Sequence, residues 1–535
     1  MIHQESQTKE MLLSKFNEST KRARRVRAPT NLVYVVMAIL VVGVLVTLVN
    51  IYEMRKIQEI HSGRYTADIA VVEGVSGKGV SGVRQPVVWV SGNKLNSGYL
   101  QHVYNVFERL GYVIRRGRSA SDWDVLWSHD YPFTKLASRL NNLRAHQKVN
   151  HFPGSGFITM KASLAVSQID FIPTAFKMPS DKNKLLTYIK KHPDKMWVQK
   201  SNNHRGIRIK TTKELDLEAT DTFVQEYVSK PFLIDGRKFD IGIYTIMTSL
   251  NPLRVYIVDG DALFRFCPHD YYPFDPKDVD KYVVGDDYTP MWQMPSLKKF
   301  FDERNFRFKE SFNAYLRSQG KDVDKLWSDL KSCIRQVYLE KEQLMANSMK
   351  SKFRSSRYFF EMVRFDFVLD EELNVYLMEV NMSPNLSSGH FPPNRILYEH
   401  VIYNMLGLVG IGRKTTSNLD QSSDNEADML AADKDIMTFP ELCAGDKCEQ
   451  CNSEVCKLCS HCMGEEERLT LKDAYLEHLN RGSCERVFPE PMSQAEALKW
   501  HKSWLNEHMT KLSPRNRLMV MWFIGKCQAD VKWCS

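Results

Sequence analysis

Residues 360–386 read FEMVRFDFVLDEELNVYLMEVNMSPNL, and this stretch is the strongest indication of the fold. Two β-prone runs, Glu361–Leu369 and Val375–Val380, flank the polar segment Asp370–Asn374. Apolar residues that alternate on both sides of a short turn are typical of two antiparallel strands joined as a hairpin. The sequence therefore predicts a pair of strands within a larger α/β domain.

Carboxylate and amide side chains lie on both predicted strands. Asp366 and Glu379 have apolar neighbours, where a carboxylate is unfavourable unless a cation or a hydrogen-bond donor meets it. Glu379 and Asn381 are two residues apart and therefore face the same side of their strand. Together the three side chains could hold one or two Mg²⁺ ions. The alternative is a strand end with solvent-exposed acids, which the flanking apolar runs make less favoured.

Basic residues that complement these acids come earlier in the chain. Lys200 ends the apolar run Met196–Lys200, and the loop after it contains Gly206, so its backbone N–H groups could bind phosphates. Lys238 and Asp240 alternate onto one face, and the run 223–228 could offer backbone groups to the edge of a base. Each feature alone is better explained by solvated polar residues. Together with the carboxylates they indicate a Mg-nucleotide site.

The other predicted elements alternate between strands and helices. Pro86–Val90 and Asp124–Trp127 are short apolar runs that predict strands, and Tyr99–Leu110 between them predicts a helix. Further β-prone runs follow at Thr222–Tyr227 and Leu253–Val258. This order, without an internal repeat, predicts a mixed α/β (α+β) fold.

The composition limits the class of protein and its partners. Of the 535 residues, 43% are hydrophobic and 26% are charged, which excludes a wholly disordered chain, a collagen and a coiled-coil rod. The formal net charge is +9, but residues 1–30 hold seven Lys and Arg against three Glu, so the remaining chain is only mildly basic. No nucleic-acid partner is expected from this distribution.

An apolar segment near the start predicts membrane attachment. Leu32–Val49 has 18 residues without a charge, which is enough for a helix to cross a bilayer. Five basic residues at 21–27 precede it, so the positive-inside rule predicts a single-pass membrane protein of type II orientation. We expect a basic tail at 1–30, a transmembrane helix at 31–52 and a Gly/Ser-rich linker at 53–85.

Cysteines are concentrated at the other end of the chain. Nine of the 11 lie beyond residue 440, and six form a cluster at 443–462. Its C-x-x-C pairs could bind Zn²⁺ if the cluster is cytosolic. In an oxidising lumen the same residues would form disulfides, which the predicted topology favours. We expect the main domain at 86–412, an acidic linker at 413–440 and a Cys-rich region at 441–535.

Seven motifs, in the same order, resemble the tubulin–tyrosine ligase-like family. They are QKVNHFPG (147–154), ITMK (158–161), WVQK (197–200), VQEYV (224–228), GRKFDI (236–241), TSLNPLR (248–254) and EVN (379–381). The resemblance spans about 86–412 and implies an ATP-grasp fold, here between a transmembrane helix and a small Cys-rich module. It also implies ATP and Mg²⁺ as cofactors. The implied reaction ligates glutamate to carboxylates of tubulin tails through an acyl phosphate, mainly by charge neutralisation and positioning.

The resemblance also implies roles for individual residues. The residues expected to bind ATP are Lys161, Lys200, Gln225, Glu226, Val228, Lys238 and Asp240. The residues expected to act in catalysis are Lys238, Asp240, Arg265 and Glu379. The residues expected to hold Mg²⁺ are Asp366, Glu379 and Asn381.

Three departures from the family pattern bear on activity. Gly242 stands where the family usually has the arginine of Asp-Ile-Arg-Val-Tyr, and a charge lost there weakens stabilisation of the transition state. Arg364 replaces a small residue, and it could restore that charge or be merely solvated or paired. The segment His-Leu-Thr-Asn is missing from 282–292, where Asp286, Asp287 or Thr289 could substitute. From the sequence alone, Gly242→Arg is expected to raise ligase activity.

The sequence thus predicts an ATP-dependent carboxylate–amine ligase of the tubulin polyglutamylase type, with tubulin tails and glutamate as partners. Two alternatives remain open, a membrane-tethered nucleotide-binding pseudoenzyme and a ligase for a lumenal acidic protein. The predicted topology favours the lumenal substrate, because tubulin is cytosolic. The departures at Gly242 and at 282–292 favour the pseudoenzyme.

Overall fold

The computed structural model describes residues 85–93, 95–117, 122–201, 207–353, 355–413, 430–500 and 509–535. The strands in these ranges are β1 (Val87–Ser91), β2 (Val113–Arg116), β3 (Val125–Ser128), β4 (Lys148–Val149), β5 (Ala175–Met178), β6 (Trp197–Ser201), β7 (Ile209–Lys210), β8 (Thr222–Glu226), β9 (Phe239–Leu250), β10 (Leu253–Val258), β11 (Leu263–Phe266), β12 (Thr289–Pro290), β13 (Glu361–Leu369), β14 (Val375–Met382) and β15 (Cys484–Phe488).

The α-helices in the same ranges lie between and after these strands. They are α1 (Gln101–Arg109), α2 (Pro132–Lys135), α3 (Ala137–Leu140), α4 (Gly156–Thr159), α5 (Lys161–Ala165), α6 (Lys182–Lys191), α7 (Pro295–Lys298), α8 (Phe308–Ser318), α9 (Val323–Lys350), α10 (Asn394–Leu408), α11 (Asp433–Ile436), α12 (Pro440–Ala444), α13 (Glu465–Leu479), α14 (Gln494–Leu498) and α15 (Pro514–Ala529).

Three sheets organise the strands. A parallel sheet has the order β2-β1-β3-β4, and a small antiparallel sheet has the order β5-β8-β6-β7. In the large sheet, β9 pairs on one side with β13, which pairs with β14, and on the other side with β10 and β11. Strands β12 and β15 extend the large sheet beside β11 and β10. The prediction of a mixed α/β fold is confirmed.

Strand β9 is the centre of the large sheet. Its sequence FDIGIYTIMTSL is rich in β-branched and aromatic residues, and all twelve are buried. Strands covered on both faces need not alternate, and residues 244–250 of β9 show no regular alternation in the sequence. The alternation of Lys238 and Asp240 marks the beginning of β9 in the sequence, but no pattern there predicts the whole strand.

The predicted hairpin is present as β13 and β14, and β13 has the predicted bounds. Asp370 closes the turn, because its Oδ1 accepts hydrogen bonds from the backbone N–H groups of Glu372 and Asn374 at 3.1 and 2.8 Å. Leu373 completes the turn in the left-handed region, with φ of 67°. The local sequence therefore determines both strands and the connection between them.

The residues after 430 pack onto the large sheet. Strand β15 pairs with β10, and Trp522 of α15 is fully buried in the same core as the sheet. The described residues from 85 to 535 form one compact unit. The predicted domain boundaries stay predictions, but the Cys-rich region shares its core with the domain before it.

The cysteine cluster is closed by disulfides. The pairs are Cys443–Cys459, Cys448–Cys456 and Cys451–Cys462, with a fourth at Cys527–Cys534. The remaining three cysteines, Cys267, Cys333 and Cys484, are buried free thiols. Zinc binds thiolates, and a sulfur in a disulfide is not one, so the structure does not support the zinc alternative for 443–462.

The predicted membrane localisation requires correction. Among the residues that the structure describes, no helix is both long and apolar enough to cross a bilayer. Helix α9 has 28 residues, but charged residues recur along it. The predicted span at 31–52, with the tail before it and most of the 53–85 linker, lies outside the described residues. With no described helix to support it, the prediction of a single-pass, type II protein is withdrawn.

A buried ion pair attaches helix α13 to the large sheet. Arg254 of β10 donates from Nε and Nη2 to the two carboxylate oxygens of Glu477 at 2.8 and 2.9 Å, and both residues are buried. Thr248 Oγ1 also donates to Glu477, at 2.8 Å. This contact joins the C-terminal region to the strands that carry the site.

Glu477→Ala is expected to lower the free energy of unfolding by about 3–5 kcal/mol, because it leaves the Arg254 guanidinium buried without its partner. The matched control is Glu466→Ala, which breaks a second bidentate arginine pair on α13, with the exposed Arg515. An exposed pair contributes about 0–1 kcal/mol, so the control should change little. Urea unfolding of both variants checks this, and equal losses would contradict it.

Candidate active site

Strands β9, β11, β13 and β14 bring charged side chains together on one face of the large sheet, which we call the site face. Strand pairing places Arg265 opposite Asp240, and Asp366 between Gly242 and Glu379. Residues two apart in a strand share a face, so further polar residues of the same strands join them. The polar side chains of the site face are Asp240, Arg265, Arg364, Asp366, Glu379 and Asn381.

Arg265 holds two carboxylates. Its Nε and Nη2 donate to the oxygens of Asp240 at 2.9 and 2.7 Å, and Nη2 also donates to Asp366 Oδ2 at 2.8 Å. Burial raises the pKa of Asp240 to about 6, although the charge of Arg265 opposes this rise. A bidentate guanidinium–carboxylate pair restricts both partners, so Arg265 fixes how β9 and β13 present their acids.

Arg364 binds Asp366 from the same strand. Its Nε donates to Asp366 Oδ1 at 2.6 Å and its Nη2 donates to Oδ2 at 2.8 Å. Both side chains are buried, with Arg364 5% and Asp366 2% exposed. Both oxygens of Asp366 therefore accept N–H groups of arginine, and the carboxylate lies between two guanidinium groups.

Asn381 and Lys161 extend this network to Glu379. Asn381 Nδ2 donates to Asp366 Oδ2 at 2.8 Å and to Glu379 Oε1 at 3.0 Å. Lys161, at the start of α5, places Nζ 2.8 Å from Glu379 Oε2. Burial acts to raise the pKa of Glu379, but Lys161 and Asn381 outweigh it and lower the pKa to about 2. Glu379 is thus ionised at neutral pH.

Two further lysines lie beside the network. Lys200 is the next-to-last residue of β6 in the small sheet. Burial together with the charges of Lys161 and Lys238 lowers its pKa to about 8, against the opposing charge of Glu379. Lys238 precedes β9 and donates from Nζ to the carbonyl oxygen of Tyr282 at 2.8 Å. Burial also lowers the pKa of Lys238. The small sheet therefore contributes a cation to the site face of the large sheet.

The site has more basic than acidic groups. The acids are Asp240, Asp366 and Glu379, and the basic side chains are Lys161, Lys200, Lys238, Arg265 and Arg364. Basic side chains that crowd together depress one another's affinity for protons, and an anion with several charges relieves this. The arrangement is therefore suited to a polyphosphate.

The predicted adenine-binding strand is brought to the site only in part. Gln225 of β8 accepts a hydrogen bond from Lys200 Nζ at 3.1 Å and is buried. Glu226 points to the other face of the strand, where it binds Lys195 and accepts from Tyr188 Oη at 3.2 Å. Val228 is half-buried just past the end of β8. Of these three predicted residues, Gln225 is the one whose side chain joins the site network.

The region that replaces the missing His-Leu-Thr-Asn segment contains β12. Thr289 accepts a hydrogen bond from Arg237 Nη1 at 2.7 Å, and the next residue, Pro290, lies opposite Arg265 in the sheet. Asp286 and Asp287 are exposed. Of the three candidate substitutes, Thr289 lies in the strand that borders the site face.

A buried pair behind the site was not predicted from the sequence. His151 Nδ1 lies 2.7 Å from Glu361 Oε1, and Nε2 lies 2.9 Å from the carbonyl oxygen of Ser128. Burial acts to lower the pKa of His151, but Glu361 outweighs it, so the pKa is raised. The ring contact and the hydrogen bond from the backbone N–H of Phe152 to Glu361 Oε2, at 2.9 Å, anchor residues 151–152 to β13. The sequence did contain one sign of this pair, since Glu361 is an acidic residue at the start of an apolar strand.

The three residues predicted to hold Mg²⁺ differ in how readily they could coordinate the ion. Glu379 and Asn381 supply hard oxygen donors on one strand face, joined by a hydrogen bond of 3.0 Å. Asp366 Oδ2 already accepts from Arg265, Arg364 and Asn381. Coordination by Asp366 would therefore require exchange of an arginine contact, whereas Glu379 is ionised and bound by a single lysine.

Comparison with known proteins places the chain in a family. Residues 138–418, over half of the chain, match the model of the Tubulin-tyrosine ligase family. The "Probable tubulin polyglutamylase ttll-15" of Caenorhabditis elegans is 43% identical over 463 residues, which cover 84% of this chain and 87% of that protein. The mouse "Tubulin polyglutamylase TTLL6" is 28% identical over 322 residues, 56% of this chain and 38% of that protein. The chain belongs to the tubulin-tyrosine ligase family.

Proposed function

We propose that this chain is an ATP-dependent carboxylate–amine ligase of the tubulin polyglutamylase type, with an ATP-grasp arrangement of its small and large sheets. The observation that carries the proposal is the site of five basic and three acidic groups, in a chain of the ligase family. Relatives named as tubulin polyglutamylases, and a mouse "Tubulin monoglutamylase TTLL4", support glutamate as the added amino acid and tubulin as the acceptor.

The proposed ATP site lies between Lys200 and the site face. Lys161 and Lys200 bind the phosphates, and Gln225, with the backbone of Glu226 to Val228, borders the adenine. Lys238 lies on the ribose–phosphate side. Glu379 and Asn381 would hold Mg²⁺, joined by Asp366 on exchange of an arginine contact, and the bound ion would neutralise phosphate charge.

ATP supplies the activation of the acceptor, since phosphorylation of a glutamate carboxylate allows the amine of a second glutamate to displace phosphate, with loss of a proton, as an amide bond forms. The chain's own residues position charges for this transfer. Arg265 is oriented by Asp240 and neutralises negative charge at the site face. Glu379 stays ionised because Lys161 holds its pKa near 2.

A second acceptor is favoured by one observation. The four disulfides are typical of proteins from an oxidising compartment, where cytosolic tubulin is absent. An acidic protein of such a compartment would present the same side-chain carboxylates to the same site.

The direct test supplies the full chain with Mg-ATP, labelled glutamate and tubulin. Label is expected in tubulin, and it should be absent without ATP and from tubulin whose acidic tails have been removed by protease. A disulfide-containing acidic protein serves as the second acceptor. Label in that protein alone would replace tubulin as the substrate, and no label in either would overturn the proposed activity.

Glu379→Gln is expected to abolish the rise in Tm that Mg-ATP produces, because it removes the ionised ligand proposed for the metal. Glu371→Gln is the matched control, since Glu371 lies in the turn of the same hairpin and pairs with the exposed Lys230. The control should retain the full shift. An unchanged shift in Glu379→Gln would contradict the metal assignment.

ATP binding is expected to take up a proton near pH 8. Lys200 has a pKa of about 8 without nucleotide, and a polyphosphate raises it, so the ammonium form is favoured in the complex. Affinity should thus be constant below this pH and fall by up to about tenfold per unit above it. Calorimetry in two buffers of different ionisation enthalpy measures the uptake.

Lys200→Arg is the control for this proton uptake. Arginine keeps its charge throughout the range, so its complex should form without the uptake centred at pH 8. Equal proton uptake by both proteins would show that another group titrates.

A further inference from the structure

We propose that Arg364 supplies from β13 the guanidinium that the family usually places at residue 242 of β9. The inference rests on the proposed ligase function, and it concerns the two departures at Gly242 and Arg364. These departures are not independent losses. They are two halves of one exchange, in which an arginine and a small residue have traded places across neighbouring strands.

The two positions share one space. A Cβ atom built on Gly242 would lie 2.8 Å from Cδ and 3.2 Å from Nε of Arg364, and 3.3 Å from Asp366 Oδ1. Real Cβ atoms do not approach a carbon that closely. The side chain of Arg364 therefore occupies the volume through which a side chain at 242 would run, so a larger residue at 242 would have to displace Arg364 from its contact with Asp366.

The register of β9 and β13 explains why the Arg364 side chain lies over Gly242. Gly242 lies opposite Asp366, and Arg364 is two residues from Asp366 on the same face of β13. The Arg364 side chain therefore crosses diagonally over Gly242 while its guanidinium binds both oxygens of Asp366. The positive charge is delivered to the site face from the neighbouring strand.

The exchange matters because of the local charge balance. Without Arg364, the adjacent acids Asp240 and Asp366 would share the single guanidinium of Arg265. The site face would then carry an uncompensated negative charge, which repels a phosphate at the point where the family pattern places an arginine. With Arg364 present, each of the two acids has a bidentate arginine partner.

This geometry revises the expectation for Gly242→Arg. The new side chain would collide with Arg364 and add a like charge beside it, so the single substitution should lower activity instead of raising it. Arg364→Gly should also lower activity, because it removes the charge and opens a gap over Gly242. The double variant Gly242→Arg/Arg364→Gly returns both positions to the family pattern and should recover activity.

The experiment is this double-mutant cycle in the full chain, with kcat, the Kd for Mg-ATP and Tm measured for each protein. Arg364→Gly is expected to reduce kcat about 100-fold, as for loss of one preorganised transition-state donor, and the double variant to regain at least tenfold over either single variant. The Kd should follow the same pattern. Arg335→Ala, which removes an ion-paired arginine of α9, is the control and should keep wild-type kcat.

Two results would overturn the inference. One is a double variant no better in kcat or Kd than the worse single variant, and the other is a Tm that recovers while kcat and Kd do not, which assigns Arg364 a purely structural part. If the wild type binds Mg-ATP but ligates neither acceptor, the proposed function is wrong, but the inference about Arg364 is not yet tested by that result. The Kd values of the four proteins then still decide the inference.

Discussion

The carboxylate of Asp366, buried between the guanidinium groups of Arg265 and Arg364, is the interaction on which the site depends. A buried carboxylate is unfavourable without such partners, so β9, β11 and β13 must keep the register that brings both arginines to it. A slip of one residue would turn each side chain to the opposite face. The same register brings Glu379 opposite Asp366, so one constraint orders the whole site face.

The hairpin of β13 and β14 could be predicted because its pattern is local, with alternation on both strands and Asp370 to close the turn. The central strand β9 could not, since its residues 244–250 show no regular apolar–polar alternation. The contact of Arg364 with Gly242 was equally hidden. It depends on pairing between strands more than 100 residues apart, which no neighbouring residue encodes.

Two further expectations differ in how far the local sequence could decide them. Gln225 and Glu226 are adjacent in a strand, so their side chains must diverge, and only that of Gln225 joins the site network. The cysteine spacing allowed zinc or disulfides, and three-dimensional pairing was needed to decide. The charge complementarity of the site, in contrast, could be predicted from the sequence. Its lysines and its acids occur in separate motifs, and a Mg-nucleotide site needs both.

The pairing of β15 with β10 has a consequence for synthesis of the chain. Val255 pairs with Phe488, so one edge of the large sheet gains its last strand only after more than 200 further residues have been made. Until then the ribosome holds a chain whose β10 edge has open hydrogen-bonding groups, the feature that invites pairing with other chains. Folding of the ligase domain is therefore completed by residues outside the part that matches the family, and newly made chains expose this unpaired edge to other chains during that interval.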